Sequence, residues 1–161
     1  LLAPDVDGIP PDGHIIYGNA GEELKAFNIK DGLGIKLLQK AGVPVAIITG
    51  RESAIVARRA GELGISHVIQ GREDKRQALE ELCRLCSVDI TECAYMGDDL
   101  PDLGAIKACG LGMTAADASH TVAEAAHWQS QRRGGEGAVR EACEFILHAR
   151  DAWEDVMADY R

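Results

Sequence analysis

Short apolar runs alternate along the chain with longer stretches in which apolar residues recur every three or four positions. The run 43–48 (Val-Pro-Val-Ala-Ile-Ile) is continuous and closed by turn residues. That is the pattern of a strand buried on both faces of a parallel sheet. Weaker runs of the same type occupy 66–69, 93–96 and 109–113. Between them helical spacing predicts helices near 32–41, 52–63, 75–86 and 101–108, the first with Leu33, Leu37, Leu38 and Ala41 on one face. A last helix is expected over 138–157, with Val139, Ala142, Cys143, Ile146, Trp153 and Met157 on one side. This β-α-β-α order predicts an α/β fold, a doubly wound parallel sheet with right-handed crossovers. One segment breaks the alternation. Two apolar stretches flank the turn Gly18-Asn-Ala-Gly21, which predicts a β-hairpin over 14–28, inserted after the first strand.

Composition narrows the class. The 161 residues suit one domain, taken as spanning 1–161, and with Leu1 in place of Met a trimmed N-terminus is expected. Seventeen basic against 26 acidic residues give a net charge of −9, which argues against a nucleic-acid partner. No apolar run reaches the roughly 20 residues of a membrane span, and no signal peptide is visible. Five cysteines (Cys83, Cys86, Cys93, Cys109 and Cys143) include one C-x-x-C, at 83–86, inside a stretch of helical periodicity. Without a second pair there is no zinc ribbon, so the expectation is packed thiols in a reducing cytoplasm.

The candidate chemistry sits at strand ends. Asp5-Val-Asp7 follows the first apolar residues, and Gly97-Asp98-Asp99-Leu-Pro-Asp102 follows the run 93–96. Carboxylates gathered at the mouths of parallel strands make a hard oxygen site suited to Mg²⁺. Thr49-Gly50-Arg51 ends the run 43–48 and opens a helix, where a hydroxyl and free N–H groups can hold an anion. Lys75 opens another helix and adds a cation. Singly, each has an ordinary structural explanation: Thr49 as a helix-opening residue, Lys75 as a solvated one, Asp98 or Asp99 as a cap. Their order and shared address favour a site.

That constellation resembles the haloacid dehalogenase superfamily and, more narrowly, its capless 3-deoxy-D-manno-octulosonate 8-phosphate phosphatase family. The narrower likeness rests on Gly18-Asn19, Gly21-Glu-Glu-Leu-Lys-Ala-Phe-Asn28, Asp31-Gly-Leu-Gly-Ile35, Ala46-Ile-Ile-Thr-Gly-Arg51 and Gly137-Ala-Val-Arg-Glu141. The resemblance implies a Rossmann-like haloacid dehalogenase fold without a cap domain, and Mg²⁺-dependent hydrolysis of a ulosonate phosphate in lipopolysaccharide precursor synthesis. Asp5 would be the nucleophile, forming an aspartyl-phosphate, and Asp7 the acid and then the base. Mg²⁺ would be held by Asp5, the Asp7 backbone carbonyl and Asp98, while Thr49, Gly50 and Lys75 would take phosphoryl oxygens. Asp99 and Asp102 would orient these groups from behind. Arg51, Lys30 and Arg140, with Arg72 a weaker candidate, would meet the substrate carboxylate.

The resemblance also implies a homo-oligomer, a tetramer assembled through the hairpin 14–28, whose Ile15, Ile16, Tyr17, Leu24 and Phe27 make an apolar patch. Where the family carries strand and loop residues this chain has Pro4, Pro10 and Pro11, and it has Glu136 where Arg is usual. These departures keep two alternatives open. One is a silent member used as an oligomerisation module, of the kind appended to sialic-acid cytidylyltransferases. The other is a phosphatase for a nine-carbon ulosonate 9-phosphate.

Overall fold

A computed structural model describes every residue except 8, 10 and 11, so the expectations placed on Pro10 and Pro11 lie outside the described residues. In chain order the elements begin with β1 (Leu2–Pro4), the hairpin strands β2 (Ile16–Tyr17) and β3 (Glu23–Leu24), and helix α1 (Ile29–Lys40). There follow β4 (Ala46–Ile48), α2 (Ala54–Leu63), β5 (His67–Ile69), α3 (Lys75–Cys86), β6 (Ala94–Met96) and α4 (Leu103–Ala108). The chain ends with β7 (Leu111–Thr114), α5 (His120–Ala125), β8 (Trp128–Gln129), α6 (Ala138–Ala149) and α7 (Trp153–Met157).

The sheet is parallel, as its apolar runs predict. Strands β1, β6, β7 and β8 are neighbours in that order, and β4 pairs with β5. A bridge between Leu2 and Val45 joins the two pieces, which gives β5-β4-β1-β6-β7-β8. Pro4 explains why the joint is a single bridge. Leu2 donates to the Pro44 carbonyl, whereas the Asp5 N–H goes to Met96 on the other side. Alternation therefore turns the position-4 nitrogen toward β4, where proline has no hydrogen to give. The strand keeps its central place because Pro4 still registers opposite Met96 on the β6 side.

Alternation along the strands also divides the core. Leu2, Val45, Ile47 and Met96 face α1, α2 and α6, while Ala3, Ala46, Ile48 and Tyr95 face α3, α4 and α5. Two helical layers thus sandwich the sheet, and the described residues form no separate cap. Helices α1 and α6 pack closely because Gly34 has no side chain; a Cβ there would lie 3.0 Å from the Arg140 Cα. The buried Asp31 of α1 accepts from the Arg140 N–H at 2.8 Å, capping α6 from across the interface.

One expectation needs correction. The single helix over 138–157 is two, because Asp151 takes φ 54°. The N–H groups of Asp151 and Ala152 turn back to the carbonyls of His148 and Leu147. Apolar spacing survives this turn, since Ile146 and Trp153 are seven residues apart and still share a side. Helix α5 and strand β8 carry too few apolar residues to signal themselves. All five cysteines are free thiols, four buried and Cys86 half-buried, and the Sγ atoms of Cys83 and Cys93 touch at 3.2 Å. No helix among the described residues is long and apolar enough to cross a membrane.

Candidate active site

Parallel strands end on one rim, so the residues after β1, β4 and β6 meet there. A cleft of about 360 Å³ on that rim is lined by Asp5, Asp7, Gly50, Arg51 and Lys75 and by the segment Asp98, Asp99, Pro101 and Asp102. Eight of the twelve residues named from the sequence therefore face one cleft, and a ninth, Thr49, is buried and donates to Asp7.

Asp5 and Lys75 form its buried heart, with exposures of 5% and 3%. Lys75 Nζ donates to Asp5 Oδ1 at 2.6 Å and reaches the Ile48 carbonyl at 3.4 Å, so α3 is tied to both β1 and β4. Its Nζ also stands 3.8 Å from Asp102 Oδ1, and the residue lines the cleft. Burial, reinforced by the charge of Asp102, raises the Asp5 carboxyl from its ordinary 3.8 to about 7, although Lys75 pulls it back. Asp98 rises to about 6, first through burial and then through the charges of Asp102 and Asp99.

Asp7 lies beside this pair in a turn. Its Oδ2 accepts from the Thr49 hydroxyl and from the Arg51 N–H, the latter at 3.3 Å. Its Oδ1 faces Lys25 Nζ at 3.5 Å. Lys25 comes from the hairpin, and its side chain is only 2% exposed, held between Asp7 and Glu23. Sequence reasoning missed it. The alternation Glu23-Leu24-Lys25, which sends Leu24 outward and its neighbours inward, was the available signal. Arg51 also reaches the hairpin, donating to the Tyr17 hydroxyl at 3.3 Å.

The acidic segment after β6 is organised by Asp102. Its Oδ2 accepts the N–H groups of Asp98 at 3.0 Å and Asp99 at 3.2 Å. Its Oδ1 accepts the Tyr95 hydroxyl at 2.6 Å. Asp99 acts as a turn cap, accepting from the Leu100 N–H at 2.8 Å. Gly97 must be glycine, because a Cβ would lie 2.3 Å from Asp102 Cγ. Oxygen atoms of Asp5, Asp98 and Asp102 lie within 4.8 Å of one another. An all-oxygen set of this charge fits a small hard dication such as magnesium.

Three expected carboxylate binders lie elsewhere. Lys30 and Arg140 line a second pocket with Arg132 and Glu136, because α1 and α6 present them away from the cleft. Arg140 is also held by Glu144 at 2.6 Å. Arg72 is spent on Asp74 and Glu81, at 2.6 Å and 2.9 Å. Of the cations named for the substrate carboxylate, only Arg51 lines the cleft.

Comparison with known proteins places the chain in a family. The family model for haloacid dehalogenase-like hydrolases matches residues 22–110. The 3-deoxy-D-manno-octulosonate 8-phosphate phosphatase of Yersinia pestis is 46% identical over 154 residues, 96% of this chain and 82% of that protein. The Escherichia coli K12 protein of the same name is 43% identical over 150 residues, 93% of this chain and 80% of that protein. A crystal structure of the Moraxella catarrhalis phosphatase of that name, in complex with magnesium, phosphate and KDO, superposes with a TM-score of 0.97 at 46% identity, covering 99% of this chain and 92% of that one.

Proposed function

The chain belongs to the haloacid dehalogenase-like hydrolases, in their 3-deoxy-D-manno-octulosonate 8-phosphate phosphatase family, and from that premise we propose that it releases phosphate from 3-deoxy-D-manno-octulosonate 8-phosphate. It is a phosphomonoesterase, and Mg²⁺ is its cofactor. The observation that carries the substrate reading is the cleft itself, where Asp5, paired to Lys75, meets Asp7 and the Asp98 carboxylate. A domain superposing at 0.97 on one that holds magnesium, phosphate and KDO supports it.

Asp5 and Asp98, with the Asp7 backbone carbonyl, would hold Mg²⁺, which when bound neutralises charge between the attacking carboxylate and the phosphate. Asp5 attacks phosphorus in line, forming an aspartyl-phosphate as the sugar oxygen leaves. Asp7 gives that oxygen a proton, then takes one from the water that hydrolyses the intermediate. The Thr49 hydroxyl, the Gly50 N–H and the Lys75 ammonium hold the phosphoryl oxygens. Asp99 and Asp102 orient these groups, and Arg51 at the rim meets the sugar carboxylate. In the cell this step would serve lipopolysaccharide precursor synthesis in the cytoplasm.

The test is magnesium-dependent phosphate release from eight- and nine-carbon ulosonate phosphates, with Asp5→Asn as the control. Fastest release from the eight-carbon ester is expected. Preference for the nine-carbon ester would change the substrate, and release from neither would leave the oligomerisation-module reading. That reading draws on Glu136, which lies outside the cleft, on Pro4, whose strand still delivers Asp5 to the rim, and on Pro10 and Pro11, which lie outside the described residues.

The raised carboxyls set a pH dependence. Between about pH 4 and 7 the folded, metal-free chain holds protons on Asp5 and Asp98 that the unfolded chain has released. Stability therefore falls as pH rises through that window. Metal-free protein is expected to melt lower at pH 8 than at pH 5, by on the order of 5 °C. Magnesium should raise the melting temperature more at pH 8, because at pH 5 it must first displace those protons. A larger magnesium effect at pH 5, in differential scanning calorimetry, would remove Asp5 and Asp98 from the metal site.

The homo-oligomer belongs to the same proposal, as a tetramer built on the hairpin. Ile16, Tyr17 and Leu24 are 52%, 65% and 57% exposed. Phe27 instead packs on its own domain, under the Arg59 guanidinium at 5.9 Å, and Ile15 is half-buried. Charging the outward face with Ile16→Glu and Leu24→Glu is expected to cut the mass seen by sedimentation at least by half. An unchanged mass removes the hairpin from the interface.

A further inference from the structure

Distance alone would count Asp102 with Asp5 and Asp98 as a cation ligand. Its bonding argues otherwise. Both its oxygens are occupied by donors: two backbone N–H groups on Oδ2 and the Tyr95 hydroxyl on Oδ1. Tyr95 is fully buried on the α3 side of β6, where its neighbours Ala94 and Met96 face the other core. The backbone is shaped around this carboxylate too, since only glycine fits at position 97. Lys75 Nζ meanwhile stands 2.6 Å from Asp5 Oδ1 and 3.8 Å from Asp102 Oδ1, an unequal sharing of one buried cation between two carboxylates.

We propose that Tyr95 is a positioning residue: by donating to Asp102 Oδ1 it leaves Lys75 with Asp5 and keeps Asp102 out of the ligand set of the divalent cation. Without the hydroxyl, Oδ1 is a buried anionic acceptor with no donor, a costly state. Two remedies lie in reach. Asp102 can draw Lys75 toward itself, loosening Asp5, or it can turn to the cation. An added carboxylate ligand favours Ca²⁺, which takes more oxygens than Mg²⁺ and in looser geometry.

This inference rests on the metal-dependent reading above, and a double-mutant cycle tests it. Tyr95→Phe, Asp102→Asn and the double variant are compared by calorimetric titration with Mg²⁺ and with Ca²⁺, and by hydrolysis of p-nitrophenyl phosphate. Tyr95→Phe is expected to raise Ca²⁺ affinity relative to Mg²⁺ by about tenfold, and to lower kcat by about tenfold with little change in KM. Both effects should vanish in the Asp102→Asn background. Effects of the same size in both backgrounds would mark Tyr95 as packing alone and overturn the proposal. So would a Tyr95→Phe protein that matches the wild type.

Should that variant melt too low to assay, the wild type decides. The buried Tyr95 hydroxyl proton is expected to remain a slowly exchanging NMR signal in metal-free and Mg²⁺-loaded protein. Its loss on loading would show Asp102 taken by the cation. Wild-type protein that binds no Mg²⁺ overturns the metal-dependent reading along with this one, whereas normal binding with additive variants overturns the role of Tyr95 alone.

Discussion

Asp5→Asn is expected to lower turnover of phosphate monoesters by about four orders of magnitude or more while leaving the fold intact. The amide keeps the shape of the carboxylate and can still accept from Lys75, now 2.6 Å from Asp5 Oδ1. What it loses is nucleophilicity, and a missing nucleophile is not replaced by groups that only bind. Stability should move the other way. The native carboxyl is raised to about 7 by burial and by the charge of Asp102, so its ionised form is held at a cost above that pH. A neutral amide removes the cost, and the metal-free variant should melt at or above the wild-type temperature at pH 8. Phosphate release and melting curves measured side by side check both halves. Undiminished turnover would exclude Asp5 as the nucleophile.

Lys75→Met carries the second-largest effect, and it falls on stability as well as rate. Lys75 is the cation nearest both Asp5 and Asp102, at 2.6 Å and 3.8 Å. Removing one partner of a buried ion pair leaves an uncompensated charge and costs about 3–5 kcal/mol. For a domain of this size that corresponds to a fall on the order of 10 °C in melting temperature. The loss should shrink at pH 5, because Asp5 is then protonated and no longer needs the ammonium. Turnover should fall by about two to three orders of magnitude, since a donor to the phosphoryl oxygens is gone. A variant as stable as the wild type at pH 8 would mean that Lys75 does not neutralise the site.

Much of this site is legible in the sequence, for a physical reason. Asp5, Thr49 and Asp98 each follow an apolar run, and parallel strands must end together, so linear order translates directly into proximity. Lys75 is legible in the same way, as the first residue of a helix that returns over the sheet. Spacing fails where direction matters. Lys30 and Arg140 are close in sequence to the hairpin and the tail, yet nothing in the chain says which side of α1 and α6 meets the cleft. Lys25 fails differently, because a two-residue strand offers almost no period to read. Tyr95 was readable in principle: a tyrosine inside a buried apolar run must find a partner for its hydroxyl. Finding that the partner is Asp102 required the turn after β6 in three dimensions.

The proline in β1 has a consequence for how the protein opens. Between β4 and β1 the backbone is joined by a single bridge, Leu2 with Val45, whereas β1 and β6 register over three residue pairs. The cleft straddles that seam, with Gly50 and Arg51 on one bank and Asp5 and Asp98 on the other. What crosses it near the cleft are side-chain ties, Thr49 to Asp7 and Lys75 to both Asp5 and the Ile48 carbonyl. Amide protons of β4 and β5 should therefore exchange as a cooperative unit of their own, ahead of β6 and β7. A ligand that grips both banks would slow that exchange, so occupancy of the cleft becomes readable in amides that never touch it.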